Sequence, residues 1–297
     1  MESEICISYY SINSKNLSLF SDFEKLKNKL IGLKDEIGKG IRKLSISCDF
    51  IIGHENSIFG ENGNYSLDTS SLIKLFYDGS LGSNFSEISS QKMIQNILNN
   101  SFAVGKTYYS AYCLEYNLFW PNIDKKFCLH SIEDIYNFDC EILAKYPLNN
   151  DSFIRRSITI FNKLYFSENC YNSLKSIKTN DITYFSIPFV NVLSSLQKCA
   201  PDIKDSPSNQ KDLKLIGSTC NIECTPQGSN KERNNFSFSF KLEDDTNEIV
   251  FCEYHLKLDK CNNDGDSHYY YNRIYFGLKT TISKGKIICI GHIGGHI

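Results

Sequence analysis

The chain has 297 residues and a mass of 34.0 kDa, with 41% hydrophobic and 22% charged residues, which excludes both a small disulfide-stapled scaffold and a chain that stays disordered. Thirty-two Lys and Arg stand against 34 Asp and Glu, a formal charge of −2, so no overall field draws the protein onto nucleic acid or an anionic membrane, and any such contact must be local. Twelve cysteines are scattered through apolar stretches behind an amino terminus, Met1-Glu2-Ser3-Glu4, that lacks the basic and apolar regions of an export signal, so they read as reduced, buried thiols in a cytoplasmic protein. No apolar run approaches the length needed to span a bilayer, and membrane partners are not expected.

Residues 5–12 have the β-branched and aromatic mix of a short strand, and Leu19, Phe23, Leu26, Leu30 and Leu33 then recur with the stripe of an amphipathic helix. The apolar run 44–52 reads as a strand, 53–70 as a loop, and 72–77 as two turns of structure. Ile88, Met93, Ile94, Ile97 and Leu98 predict a helix from about Ser86, and an aromatic-rich helix is expected over 107–119, stopped by Trp120-Pro121. Helical spacing continues over 131–146, 153–166, 167–177 and 182–199, with Pro188 marking either an opening turn or a kink.

The polar, proline-bearing stretch 200–210 has the composition of a linker. After it the period falls to two, most clearly in Phe236-Ser237-Phe238-Ser239-Phe240. Strands are expected over 213–224, 236–240, 250–258, 269–278 and 286–293, with 260–266 a loop and the last strand covered on both faces. The fold class is therefore α+β: a mainly helical domain over 1–205 with short amino-terminal strands, followed by an antiparallel β domain over 206–297.

The candidate chemistry lies on the last strands. In an antiparallel hairpin, His255 and Lys257 share a face with Tyr271, Arg273 and Tyr275. Residues 267–297 add Lys279, Lys284, Lys286, His268, His292 and His296 and contain no Asp or Glu. A basic surface interleaved with Tyr and His suits an RNA substrate: cations hold phosphate, tyrosine stacks a base, and imidazole moves protons near neutral pH. The competing reading is a solvated sheet face whose cations pair with Glu253 and Asp259. The terminal Gly291-His292-Ile293-Gly294-Gly295-His296 brings backbone close to two imidazoles, serving either catalysis or a glycine turn with the rings bonded to backbone. Its glycines argue against a helical metal site, and no cofactor or metal is expected. Cys220 and Cys224, with Cys252, His255 or Cys261, are permissive for a structural zinc without having its diagnostic spacing. Gly105-Lys106-Thr107 lacks the earlier glycine of a phosphate-binding loop, and His54 and His130 stand isolated.

Glu253-Tyr254-His255-Leu256-Lys257-Leu258, then Asn272-Arg273-Ile274-Tyr275-Phe276, then 287–296 resembles the strand series of the RelE and HigB group of bacterial toxins, over about 50 residues. The resemblance implies a metal-independent endoribonuclease acting on messenger RNA, commonly at the ribosome, with an antitoxin or other protein as partner. It would make Arg273 the phosphate contact, Lys257 the stabiliser of developing charge, and His255, His292 or His296 the proton carriers; from the basic, tyrosine-bearing face itself, Tyr271, Tyr275 and Lys286 are the candidate substrate-binding residues. This chain departs from the group in lacking helices directly before Phe236 and in carrying a long amino-terminal addition. The alternative function, from a different class, is a non-catalytic protein-binding subunit of a bacterial defence complex.

Overall fold

The computed structural model describes residues 1–12, 20–37, 42–50, 52–53, 86–177, 181–226, 235–242, 247–258 and 271–297. His54, the turns at 72–77, the 260–266 loop with Cys261, and His268 lie outside the described residues. Two compact units divide the chain, residues 1–139 and 140–297.

In the first unit, Ser3–Ile7 (β1) leads into the helix Phe20–Ile37 (α1) and then Arg42–Ile46 (β2); Ser90–Leu98 (α2) precedes Tyr108–Tyr112 (β3) and Cys128–Leu129 (β4). The four strands form a sheet in the order β2-β1-β3-β4, and every pairing in it is parallel. The chain steps from β1 to β2 through α1 and then back past β1 to β3 through α2, so the two crossovers run in opposite directions along the sheet. The α2 side carries Cys6, Met93, Ile94, Ile97, Ala111, Cys113, Trp120 and Cys128 as one buried cluster. The other side holds a buried ion pair, Arg42 Nε to Asp139 at 2.5 Å, with the Tyr108 hydroxyl donating to the same carboxylate at 2.7 Å. The helix Ile132–Lys145 (α3) carries the division between the units.

In the second unit, helices Asn150–Ile160 (α4), Asn169–Ser173 (α5), Ser186–Ile203 (α6) and Asn209–Cys220 (α7) accompany Leu164–Phe166 (β5), Cys224–Pro226 (β6), Ser237–Lys241 (β7), Asn247–Phe251 (β8), Tyr254–Lys257 (β9), Arg273–Thr281 (β10) and Gly285–Gly294 (β11). The main sheet runs β5-β11-β10-β9-β6, with β5 parallel to β11 and the other pairs antiparallel. Helix α6 packs against β11 and β5, and α7 against α6 and β6. The hairpin β7–β8 is a separate two-stranded sheet laid over the main one, where Phe240, Val250 and Cys252 meet Ile287 and Cys289 in a buried cluster. Close approach there depends on glycine: a Cβ at Gly277 would lie 2.6 Å from the Phe251 carbonyl oxygen and 2.9 Å from Val250 Cγ1.

These observations overturn the expected fold class. Strands are spread along the chain, the amino-terminal sheet is parallel and the carboxy-terminal one mixed, so a helical domain followed by an antiparallel sheet does not describe the molecule. The expected linker at 200–210 is the last turn of α6, which contains Pro201, and the capped start of α7, where Ser208 accepts from the Lys211 amide. The helix expected over 107–119 is β3 in its first part, and the strand expected over 213–224 is mostly α7. Pro188 falls in the opening turn of α6, which tolerates it. Among the described residues, no helix is long and apolar enough to cross a membrane.

Candidate functional site

The register of β9, β10 and β11 decides which of the expected site residues meet. Arg273 is paired with Lys257 and Gly294, and Tyr275 with His255 and His292, so Lys257, His255, Arg273, Tyr275 and His292 share one face of the sheet. The Tyr275 ring lies between the two imidazoles, its centroid 5.4 Å from that of His255 and 5.6 Å from that of His292. Arg273 Nη1 reaches the Tyr275 hydroxyl at 3.4 Å. The strand alternation therefore gathers guanidinium, phenol and imidazole groups on neighbouring strands.

That face is covered rather than wet. Phe236, just before β7, packs its ring 5.5 Å from that of Tyr275, leaving Tyr275 0%, His255 5% and His292 7% exposed. Lys257, Tyr271 and His296 are exposed, and Arg273 is half-buried at the margin. Burial holds the His255 ring neutral and displaces its ionisation down to about 4, with the charges of Arg273, Lys257 and His296 pushing the same way and the Glu253 carbonyl opposing them. His292 is likewise lowered to about 4, by burial. Its Nε2 donates to the Gly295 carbonyl at 2.8 Å, so this imidazole is engaged in holding the carboxy-terminal turn. That turn is pinned along the edge of β11, where Ser173 Oγ donates to the Ile293 carbonyl and Ser176 Oγ accepts from the Gly295 amide.

Lys286 does not join the group. It points to the helical face, buried, with Nζ 2.7 Å from Asp212 of α7, so the expected substrate contact is an internal ion pair. Arg273 and Lys257 differ from it in one respect: among the described residues, neither has a carboxylate within ion-pair distance. Among the described residues, Arg273 Nε and His255 Nδ1 are both buried with no hydrogen-bond partner. Such groups are rare in a finished fold, because each has given up water without replacement.

Asn272 was not among the expected residues. It is fully buried, its carbonyl accepting from the Leu258 amide at 3.2 Å, and both atoms of its side-chain amide lack partners. Its alternation places it on the opposite face from Arg273. A glycine in mid-strand was the available signal for the bulge beside the site, since the pairing slips between Tyr275 and Phe276 and leaves Gly291 out of register.

Among the described residues, which leave out Cys261, the permissive zinc set does not assemble. Cys252 is sealed in the cluster under the hairpin, and among the described residues no group of three or more His, Cys, Asp or Glu side chains is placed to hold a metal. Comparison with family models, with curated proteins and with solved structures finds no match for this chain.

Proposed function

We propose that the second unit engages RNA through a backbone phosphate and cleaves it without a metal, the activity that the toxin-like strand series implies. The observation that supports this is the pairing of Arg273, a half-buried cation that among the described residues has an unbonded Nε and no carboxylate, with His255, an adjacent neutral imidazole whose Nδ1 is unbonded among the same residues. A phosphate oxygen supplies both the missing charge and the missing acceptor at Arg273, and Lys257 stabilises charge developing on the phosphoryl group. The ribose 2′-oxygen attacks phosphorus while its proton passes to His255. The bond to the 5′-oxygen breaks, protonated His296 supplies the proton to that oxygen, and the products are a 2′,3′-cyclic phosphate and a 5′-hydroxyl. Exposed Tyr271 offers a ring for a base. The cover over His255 must open for this step, so binding runs ahead of cleavage.

The test is binding and gel-resolved cleavage of a labelled single-stranded RNA by the wild type, Arg273→Gln and His255→Ala. Arg273→Gln is expected to weaken binding about tenfold. His255→Ala is expected to keep binding and lose cleavage by about 10²–10⁴-fold, the usual worth of a positioned base. Absence of cleavage by the wild type, with binding indifferent to Arg273, would overturn the proposal. The second reading, a protein-binding subunit, is favoured by a different feature: a groove of about 900 Å³ between α7 and the outer edge of β6, lined by Leu213, Gly217, Ile222, Cys224, Glu253 and Tyr254 among others. A stable protein partner displaced by Leu213→Asp, without RNA binding, would support that reading.

A further inference from the structure

We propose a second ligand site, in the first unit, at the carboxyl ends of β1 and β3, which takes an anionic ligand bearing an aromatic ring, a nucleotide by chemical class. It is independent of the RNA reading of the carboxy-terminal sheet.

The strand order β2-β1-β3-β4 with all pairings parallel means that the connections leave β1 toward β2 on one side while β3 lies on the other. In open sheets of this kind the loops diverge at that reversal and leave a crevice outside the carboxyl ends of the two central strands. The residues there are specific. β1 exits into Ser8–Ser11, a tight turn closed by its own capping box, and the Leu114 amide beyond β3 donates to the Ser11 carbonyl at 2.8 Å, joining the two strand exits.

Lys29 reaches this junction from α1, its Nζ 2.8 Å from the Leu114 carbonyl oxygen and 3.4 Å from that of Cys113, and 5.5 Å from the centre of the Tyr112 ring. It is half-buried, and among the described residues it has no carboxylate within ion-pair distance; Glu115 and Asp134 act on it only from farther out. An ammonium group has three N–H bonds, and two aimed at neutral carbonyls leave both a donor and a whole positive charge for an anion. At the exit of β1, at the same carboxyl end of the sheet, Tyr9 donates to the Tyr10 hydroxyl at 2.6 Å, which leaves the Tyr10 O–H as a donor. The two rings are half-buried, with centroids 4.1 Å apart and planes tilted by 42°; Gly53 packs against Tyr9, so Tyr10 is the ring offered to a planar ligand. On the β2 side, Asp49 accepts from the Ser90 amide at 2.9 Å and hydroxyl at 2.6 Å and keeps a negative charge that acts on Tyr9, so the ligand's anionic group belongs at Lys29 and its ring at the tyrosines.

The chain carries its own reporter. Its single tryptophan, Trp120, is buried and donates through Nε1 to Ser11 Oγ at 3.1 Å, on the turn that would contact the ligand. The full chain should be titrated with AMP, adenosine and inorganic phosphate, following tryptophan fluorescence and, in parallel, heat. AMP is expected to bind at least about tenfold more tightly than adenosine, and phosphate to compete with it. Lys29→Gln should lower AMP affinity to the adenosine level and leave adenosine unchanged, Lys29→Arg should retain most of the AMP preference, and Tyr10→Leu should weaken both. Arg273→Gln should change none of these, which separates this site from the proposed RNA site. No AMP binding at millimolar concentration by either method, equal affinity for AMP and adenosine, or an AMP preference unmoved in folded Lys29→Gln would each overturn the proposal.

Discussion

The two buried imidazoles make the second unit sensitive to acid, and the sign follows from the direction of their displacement. His255 and His292 ionise near 4 in the fold and near the ordinary 6.5 when unfolded. Above that upper value both states are neutral, and the rings add no pH dependence. As the pH falls from 6.5 towards 4, the unfolded chain takes up protons that the fold refuses, so stability is lost through that window; between pH 7 and 5 the loss is about 2 kcal/mol for each ring. Urea midpoints at the two pH values check this, and His255→Gln should remove roughly half of the difference. A midpoint that does not move would show the rings to be hydrated. Lys286 makes the opposite kind of prediction. Removing it as Lys286→Ala strands Asp212 in the interior and should cost about 3–5 kcal/mol, whereas Lys286→Leu with Asp212→Leu should recover most of the loss. RNA affinity should be unchanged in the double variant, because the pair faces the helices and not the candidate site.

At the scale of elements, alternation was the readable signal, and what lay over each face was not. Phe236, Phe238 and Phe240 do alternate, and Phe236 and Phe240 are buried at 2% exposure. Phe240→Asp should therefore remove the hairpin from the sheet and unfold the second unit cooperatively, since an unpaired buried carboxylate costs several kcal/mol; loss of its near-ultraviolet signal at neutral pH would be the measurement. Nothing in residues 250–258 shows that the chain changes sheets between Phe251 and Tyr254, yet that change accompanies the covering of His255, although Glu253 and Lys257, two positions to either side on its face, are charged. The same limit applies to β3. Tyr108-Tyr109-Ser110-Ala111-Tyr112 satisfies a helical stripe and a strand equally well, and only insertion between β1 and β4 decides it. For α7 the deciding signal was local and present: Ser208 followed by Asn209, Gln210 and Lys211 is a helix start, and Asp212 and Ile216, four apart, are its buried positions. Of the site, the shared face of Lys257, His255, Arg273 and Tyr275 was legible from spacing alone. The burial of His292 and the ion pair of Lys286 were not, because the first depends on Phe236 and the second on Asp212 of α7, both far away in sequence.

On the scale of the whole molecule, the position of the division carries a test of the architecture. The sequence places a boundary near 205, at a proline-rich polar stretch, whereas the compact units meet between Asp139 and Cys140. A piece beginning at 206 would keep the strands that hold the candidate site but lose three supports. It lacks β5, which pairs with Ile288–Ile290 of β11 along an otherwise open edge. It lacks α5, whose Ser173 hydroxyl both donates to the Ile293 carbonyl and accepts from the Ile293 amide. And it lacks α6, which covers the face where Ile274, Phe276, Ile288 and Ile290 are fully buried. Uncovering four large apolar side chains at about 1.5–3 kcal/mol each removes roughly as much free energy as an ordinary domain has to spare. Residues 140–297 should accordingly fold alone, giving a cooperative urea transition and dispersed amide resonances, while residues 206–297 should be aggregated or unfolded. If the shorter piece folds and the longer one gains nothing from its added helices, the mixed sheet with its parallel edge strand is not the organising element of this half of the chain.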